Sequence, residues 1–167
     1  MTKKLFFYFG IIILFIVIVL LLYTPSNRSM RRNPWGVMIA AKNIKSAKQL
    51  GAAYYRPLAI SLEDWSGTCA ECDKALSLGM KILPVILANK QRTAAKDIPG
   101  YSSKLNQFLQ RYPTELITVG NEENADMFYN GTTEEYHREL RAACEVAHAK
   151  KIKCMDGGLT SSLVARL

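Results

Sequence analysis

Polar side chains that could transfer a proton follow an apolar stretch, ELITVG, at residues 115–120. Four of them come without a gap: Asn121, Glu122, Glu123 and Asn124. A carboxyl group in a dry environment can stay protonated near neutral pH and act as a general acid. A neighbouring amide can hold a hydroxyl group of a substrate. A lone Glu after a strand is usually a solvated loop residue, so it is the grouping that indicates a functional site.

Two further polar residues close other apolar stretches. Arg56 lies near the end of AAYYRP at residues 52–57, and Asp156 ends KIKCMD at residues 151–156. An arginine can fix the orientation of a carboxylate through paired hydrogen bonds. If the stretches are parallel strands, their carboxyl ends meet at one edge of the fold. We therefore expect Arg56 and Asp156 to share a cleft with the polar group at 121–124.

The sequence predicts neither a metal nor a cofactor. The histidines, His137 and His148, lie on a predicted helix as solvated residues, and no His-x-His or histidine–carboxylate cluster supplies metal ligands. The segment GVMIAAKN at residues 36–43 contains no G-x-G-x-x-G. Its absence after the first predicted strand counts against a dinucleotide-binding domain.

The four cysteines leave several pairings open: they are Cys69, Cys72, Cys144 and Cys154. Cys69 and Cys72 have the spacing of a redox motif or of half a zinc site. Residues 68–71, TCAE, resemble a capping box, which places both cysteines in the first turn of a helix. No second pair completes a zinc site, so a structural role is favoured. Disulfides are possible outside the cytoplasm, but the sequence does not pair these residues.

The elements that must position these residues alternate along the chain. The predicted strands cover residues 35–41, 52–57, 80–88, 115–120 and 151–156. The predicted helices cover 44–50, with Asn43 as the N-cap and Gly51 just past the end, then 69–78, 101–112 and a segment opened by the capping box TTEE at 132–135. Pro84 is awkward within its strand because proline gives no ladder donor. Such alternation implies a parallel sheet with right-handed crossovers, either an open doubly wound sheet or a (β/α)₈ barrel.

The chain begins with a predicted membrane anchor. Residues 5–23 carry no charge, and these 19 residues would form a helix of about 28 Å, close to the thickness of the bilayer's hydrocarbon core. A cleaved signal peptide is less favoured because no A-x-A site follows. We expect a cytoplasmic N-terminus and anchor at 1–23, a basic tether at 24–34 and one extracytoplasmic domain at 35–167. Basic residues flank the anchor on both sides, so charge alone leaves the orientation open.

Charge argues against nucleic acid as a partner. The formal net charge is +8, but all 14 acidic residues and 17 of the 22 basic residues lie after residue 34, which leaves that part at +3. This excess is mild for a nucleic-acid-binding domain. The remaining basic residues lie beside the predicted anchor, where they would meet lipid head groups.

The segment ITVGNEEN at residues 117–124 resembles the fourth-strand signature of the clan A glycoside hydrolases, which are (β/α)₈ retaining glycosidases. The resemblance implies that Glu122 is the acid/base residue and that Asn121 binds the 2-hydroxyl group of a sugar. AAYYRP resembles the second strand of the clan, which implies that Arg56 supports the nucleophile. The fold implied is a partial barrel of about five strands, and the implied substrate is a polysaccharide or oligosaccharide.

The departure from that pattern leaves three interpretations open. The nucleophile of the clan is a Glu on strand seven, beyond the strands predicted in these 167 residues, so we expect little activity from them alone. The first interpretation is an anchored retaining glycosidase that is active when complete. The second is a non-catalytic, membrane-anchored carbohydrate-binding or interaction module. The third is another barrel enzyme in which Glu122 acts as a base or a metal ligand.

Overall fold

Strands and helices alternate in the computed structural model, which describes residues 35–160. The strands are β1 (Gly36–Val37), β2 (Tyr54–Tyr55), β3 (Ile60–Ser61), β4 (Lys81–Ile82), β5 (Val85–Leu87), β6 (Leu116–Val119) and β7 (Lys153–Asp156). The helices are α1 (Ile44–Gln49), which follows a 3₁₀ turn at Ala41–Asn43, then α2 (Ala70–Ser77), α3 (Ile98–Arg111) and α4 (Thr133–Ala149). All five predicted strands and all four predicted helices are present, and the short strand β3 was not predicted.

Every strand pairing is parallel. One sheet has the order β1-β2-β4, and the other has the order β3-β5-β6-β7. A bridge between Ile82 and Thr114 also links β4 to the chain just before β6. Neighbours therefore follow one another in chain order, whereas the order reverses at a switch point in a doubly wound sheet. The fold is α/β with parallel sheets, and its order is consistent with part of a (β/α)-barrel wall.

Pro84 explains why the third predicted strand is divided into β4 and β5. The backbone N–H of Leu83 donates to the carbonyl oxygen of Tyr55 at 2.9 Å, so the chain is still paired with β2 at that point. Pro84 has no N–H to donate, but its carbonyl oxygen accepts from Thr118 N–H at 3.1 Å. The chain thus changes partners across the proline, from β2 on one side to β3 and β6 on the other.

Large apolar side chains fill the space between the strands and the helices. The largest fully buried side chains include Tyr55, Leu62, Ile82, Ile86, Leu105, Phe108, Tyr112, Ile117 and Val119. Each aliphatic or Phe side chain of this kind contributes about 1.5–3 kcal/mol to folding when it leaves water. Helices α3 and α4 contact each other, and α4 also contacts β6 and β7. This core fixes the strand ends that carry the polar residues.

The helix starts show one correct and one wrong prediction. The capping box at the start of α4 is confirmed: the Thr132 hydroxyl accepts from Glu135 N–H at 3.2 Å, and the Glu135 carboxylate accepts from Thr132 N–H at 2.8 Å. The capping box predicted at residues 68–71 is wrong. The N-cap of α2 is Cys69, and the Glu71 carboxylate instead accepts from the Tyr55 hydroxyl at 2.7 Å.

Two disulfides pair the four cysteines, Cys69 with Cys72 and Cys144 with Cys154. The first lies within the start of α2. The second joins the middle of α4 to β7, and its two cysteines are ten residues apart in sequence. A loop of that length gives roughly 3 kcal/mol of stabilisation in the chain-entropy account.

The predicted anchor and tether lie outside the described residues. Between residues 35 and 160, no helix has both the length and the apolar composition needed to cross a membrane. The anchor at 5–23 and the tether at 24–34 therefore stay predictions from the sequence.

Candidate functional site

Arg56 and Asn121 lie in direct contact at the carboxyl ends of β2 and β6. Arg56 Nη2 donates to Asn121 Oδ1 at 3.0 Å, across 65 residues of sequence. The other terminal nitrogen, Nη1, lies 3.3 Å from the sulfur of Met38, which follows β1. The resemblance assigned roles to Arg56, Asn121 and Glu122, and the structure brings the first two of them into contact. The guanidinium in turn fixes the orientation of the amide.

The chain turns sharply after β6. Gly120 has a φ of 77°, and Glu122 has a φ of 52°, in the left-handed region that residues other than glycine seldom adopt. The backbone N–H of Glu122 donates to Gly157 O at 3.3 Å, and the carbonyl oxygen of Glu122 accepts from Ala125 N–H at 2.9 Å. Such strained positions persist where the surrounding structure holds them, often at functional sites.

This turn folds the Glu123 side chain back against the strand ends. Its Oε1 atom lies 1.7 Å from where a Cβ atom would stand on Gly120 and 2.1 Å from where one would stand on Gly157. Only glycine at both positions leaves space for the carboxyl group. The backbone N–H of Asn121 also comes within 2.4 Å of the same point beside Gly157. The carboxyl group therefore occupies a space shaped by two glycines of neighbouring strands.

The Glu123 carboxyl group is set up to titrate near neutral pH. Its Oε1 atom is buried and has no hydrogen-bond partner within residues 35–160. Burial raises the pKa of Glu123 to about 7, and the nearby charges of Asp156 and Glu122 act in the same direction. Its own backbone N–H partly opposes this effect. A carboxyl group with such a pKa can either give or accept a proton at neutral pH.

Tyr136 connects the two strand ends beneath Glu123. Its hydroxyl donates to the carbonyl oxygen of Val119, at the end of β6, at 2.9 Å. The same oxygen accepts from Gly157 N–H, just after β7, at 3.4 Å. Because Tyr136 lies in the first turn of α4, the helix start is fixed to both strand ends.

A cavity of about 540 Å³ opens beside Glu123. Its walls come from the ends of β6 and β7, the loop before α4 and the start of α4, with the lining residues Glu123, Asn124, Tyr129, Gly131, Thr132, Thr133, Tyr136, Leu140, Asp156 and Leu159. This volume lies within the usual range for small-molecule sites. The lining combines carboxyl, amide and hydroxyl groups with tyrosine rings.

Asn124 holds one wall of the cavity in place. Its side-chain Nδ2 donates to Thr160 O at 2.9 Å, and its Oδ1 accepts from Thr160 N–H at 2.9 Å. Asp156 stabilises the same segment by accepting from Gly158 N–H at 2.9 Å. These bonds position the loop that carries Leu159.

A second buried carboxyl group, Glu139, lies on α4 and is 2 % exposed. Its Oε2 accepts from Ala95 N–H at 3.2 Å. Burial raises the pKa of Glu139 to about 7, partly opposed by the Ala95 N–H, while the charges of Glu123 and Glu63 raise it further. The Tyr101 hydroxyl, also buried, has no hydrogen-bond partner within the described residues, and burial and Glu139 raise its pKa well above the usual value. Glu123 is thus electrostatically coupled to a buried carboxyl group behind it.

The residues that the sequence analysis missed had a detectable signal. Glu139 falls three residues after Tyr136, and the apolar residues Leu140 and Ala143 continue the same helical spacing. A glutamate in an apolar stripe must be buried or leave the stripe, because helical residues three and four apart share one face. Glu123 was recognised as part of the polar group, but the role was assigned to Glu122. The half-exposed Glu122 adjoins this carboxyl group, and its predicted role is untested.

No three His, Cys, Asp or Glu side chains within residues 35–160 come together as metal ligands would. His137 and His148 are both exposed on α4. The expectation that no metal is needed stays a prediction.

Comparison with known proteins does not assign this chain to a family. No family model and no curated protein matches the chain. Among solved structures, it is similar to D-psicose 3-epimerase from Clostridium cellulolyticum H10, whose structures were determined with D-tagatose, at 14% identity and a TM-score of 0.46. The match covers 72% of this chain and 50% of that chain, so the similarity spans half of the epimerase.

The identification as a clan A glycoside hydrolase was wrong. No model of that clan or of another family matches, and a solved structure to which the chain is similar is that of an epimerase. The resemblance depended on Gly120-Asn121-Glu122, and the turn after β6 gives a physical reason for the glycine there. Gly120 is required there by its φ of 77° and by the Glu123 carboxyl group against it, so the glycine of Gly120-Asn121-Glu122 has a local explanation.

Proposed function

We propose that the domain binds a polyhydroxylated, sugar-like molecule at the carboxyl ends of its strands and exchanges a proton with it through Glu123. The domain would form part of the wall of a (β/α) barrel, the fold in which sites gather at this edge. The observation that carries the proposal is the Glu123 carboxyl group, which is buried between Gly120 and Gly157 beside a cavity of about 540 Å³.

The cavity lining supports a ligand rich in hydroxyl groups. Asp156 supplies a carboxylate acceptor and Thr133 a hydroxyl group. The Tyr129 and Tyr136 rings lie 5.5 Å apart between centroids and offer apolar surface. A sugar presents hydroxyl groups at its edges and C–H groups on its faces, so it matches both kinds of lining.

Glu123 supplies the chemistry of the proposal. A general acid or base works best when its pKa is close to the working pH, and burial brings the pKa of Glu123 to about 7. The charge of Glu123 also raises the pKa of the buried Glu139 carboxyl group. Arg56 and Asn121 lie at the same edge of the fold and would hold another part of the ligand.

A binding experiment on the full chain tests this proposal. Calorimetric titration with a panel of neutral mono- and disaccharides should find a ligand whose binding takes up or releases a proton with a midpoint near pH 7. Glu123→Gln keeps the shape of the side chain but cannot ionise, so that linkage should disappear. Glu145→Gln changes an exposed Glu of the same helix, α4, and should leave the linkage unchanged.

Three outcomes of that titration are informative. Binding with linkage that depends on Glu123 supports the proposal. Binding without any linkage would indicate a module that holds sugars and performs no proton transfer. If no sugar in the panel binds at millimolar concentration, the sugar-like ligand is the wrong class.

A further inference from the structure

The start of helix α2 carries a disulfide between its N-cap residue and its third helical residue. Cys69 is the N-cap of the helix Ala70–Ser77, and it is bonded to Cys72. Neither the proposed proton transfer nor the cavity beside Glu123 uses this pair. A cysteine at the start of a helix lies where the helix dipole and free N–H groups favour a thiolate.

The two sulfur-bearing residues differ in their access to solvent. Cys72 is 0% exposed and belongs to the apolar core, whereas Cys69 is half-buried. Because Cys72 is fully buried, a thiolate that approaches from solution can attack the S–S bond only at Cys69 Sγ. In the resulting exchange, Cys72 must be the leaving group.

The local hydrogen bonds favour negative charge on the Cys69 sulfur. Cys72 N–H donates to Cys69 Sγ at 3.2 Å, so a helix N–H already points at the atom that would become the thiolate. Acidic side chains of the same turn disfavour a negative charge on this sulfur. The Glu71 carboxylate, however, already accepts hydrogen bonds from the Tyr55 hydroxyl and from Leu58 N–H, the latter at 3.2 Å.

The backbone of Cys69 is held independently of the disulfide. Cys69 N–H donates to the hydroxyl of the buried Tyr112 at 2.7 Å. That hydroxyl also accepts from Arg111 Nε at 3.0 Å and lies 3.4 Å from the carboxylate of Asp73. The positive charge of Arg111 is therefore connected to the Cys69 backbone through two hydrogen bonds. These hydrogen bonds hold the start of α2 in place even if the S–S bond opens.

The other disulfide does not lie at the start of a helix. Cys144 lies in the interior of α4 and Cys154 lies in β7, so their bond joins two separate elements. Both of these residues are half-buried, and opening their bond would release a connection between the helix and the edge of the sheet. This bond is structural and serves as an internal control for the first one.

We propose that the Cys69–Cys72 pair is a thiol–disulfide exchange site whose co-reactant is a dithiol, of a protein or a small molecule. One thiolate of the dithiol attacks Cys69 Sγ and forms a mixed disulfide, and Cys72 leaves as a thiolate that takes up a proton. The second thiol of the co-reactant then attacks its own sulfur in the mixed disulfide and releases Cys69. The pair gains two electrons and two protons, and the co-reactant is oxidised to a disulfide.

The first test is the order of reduction in the unaltered chain. The protein is incubated for increasing times with dithiothreitol, free thiols are trapped with N-ethylmaleimide, and the labelled peptides are measured by mass spectrometry. Cys69 and Cys72 should become labelled at least tenfold faster than Cys144 and Cys154, with an unchanged far-ultraviolet circular dichroism spectrum. Equal rates, the reverse order, or labelling only together with loss of the helical signal would overturn the proposal.

A matched pair of variants tests the assigned roles of the two sulfur atoms. Cys72→Ser leaves the accessible Cys69 thiol, and Cys69→Ser leaves the buried Cys72 thiol. With 5,5′-dithiobis(2-nitrobenzoate) at pH 7, Cys69 in the first variant should react at least tenfold faster than Cys72 in the second. Equal rates in two variants with wild-type spectra would contradict the assignment. If either variant does not fold, the reduction order in the unaltered chain still decides the proposal.

Discussion

The carboxyl oxygen Oε1 of Glu123 occupies the space that a side chain on Gly157 would need, since it lies 2.1 Å from the position of a Cβ atom there. Backbone atoms of Asn121 and Gly120 approach the same position to 2.4 and 2.5 Å. The carboxyl group and the β7 loop therefore fit together only because residue 157 has no side chain. This relationship links the proposed proton-transfer group to a position on the neighbouring strand.

Gly157→Ala should displace the Glu123 carboxyl group. The added methyl group meets backbone as well as side chain, so we expect a loss of about 1–3 kcal/mol in the free energy of unfolding, as for other overpacked sites. Denaturant titration measures that loss, and the pH linkage of ligand binding should disappear with it. Gly158→Ala is the matched control: it has open space around it and a φ of 76°, so it should cost about 1 kcal/mol of backbone strain and preserve the linkage.

Stability should fall as the pH rises from about 5 to 8. The folded-state pKa of Glu139 is raised from 4.5 to about 7, so the folded protein holds this proton more tightly than the unfolded chain. Its stabilising effect is complete below pH 4.5 and is lost as the pH rises through 7, by on the order of 2–3 kcal/mol. Thermal unfolding across this range should show a flatter pH dependence in Glu139→Gln. A wild-type midpoint that rises with pH over this range would contradict the assignment.

The contact between Arg56 and Asn121 should appear as a coupling energy. A double-mutant cycle with Arg56→Ala, Asn121→Ala and the double variant isolates the hydrogen bond at 3.0 Å. A bond to a charged donor of this kind contributes about 1–2 kcal/mol when it is shielded from water. Both single variants should weaken binding of the sugar-like ligand. A coupling energy of zero would leave these residues as neighbours without a joint role.

Asn124→Ala should release the loop that follows β7. The variant loses both hydrogen bonds to the backbone of Thr160, which close the wall around Leu159. Hydrogen exchange at the Thr160 amide should become at least tenfold faster, with little change in the exchange of the β6 amides. Asn130→Ala, at an exposed position, provides the control. Unchanged protection at residue 160 would show that other contacts hold this wall.

Deleting residues 1–34 should move the protein out of the membrane fraction. The prediction rests on 19 consecutive residues without charge at 5–23, enough for one crossing of the bilayer. Fractionation of cells that express either the whole chain or residues 35–167 measures the effect. A whole chain that stays in the soluble fraction would show that the apolar segment is removed or has another role.

The sequence predicted the order of elements well because several boundaries have a local cause. Pro84 divides its strand because the ring removes a donor, and Gly51 and Gly79 follow their helices with φ values of 94° and 68°. The strands themselves are shorter than predicted: β1 keeps only Gly36–Val37 of the apolar stretch at 35–41. Strand length is set by which neighbours are available, and the sequence does not carry that information locally.

The site was only partly predictable for the same reason. The polar group at 121–124 and Arg56 could be placed at strand ends from their order alone. The proposal of Glu123 depends on a φ of 52° at Glu122 and on Gly157, which follows a strand about 35 residues later, and the predicted role of Glu122 stays a prediction. The disulfide pairing depends on distances between elements, so the sequence left it open. Cys69 is the N-cap of α2, and the capping box expected at Thr68 does not form, because the Glu71 side chain bonds to Tyr55, 16 residues away in sequence.

The covalent bond between Cys144 and Cys154 has a mechanical consequence for the outer part of the sheet. Within residues 35–160, β7 pairs with β6 alone, so its other edge is not held by a strand. A force that peels β7 away would also have to lift α4, which is tied to it by sulfur and shares buried surface with α3. β7 and α4 can therefore leave the sheet only together, and their detachment becomes a single cooperative event.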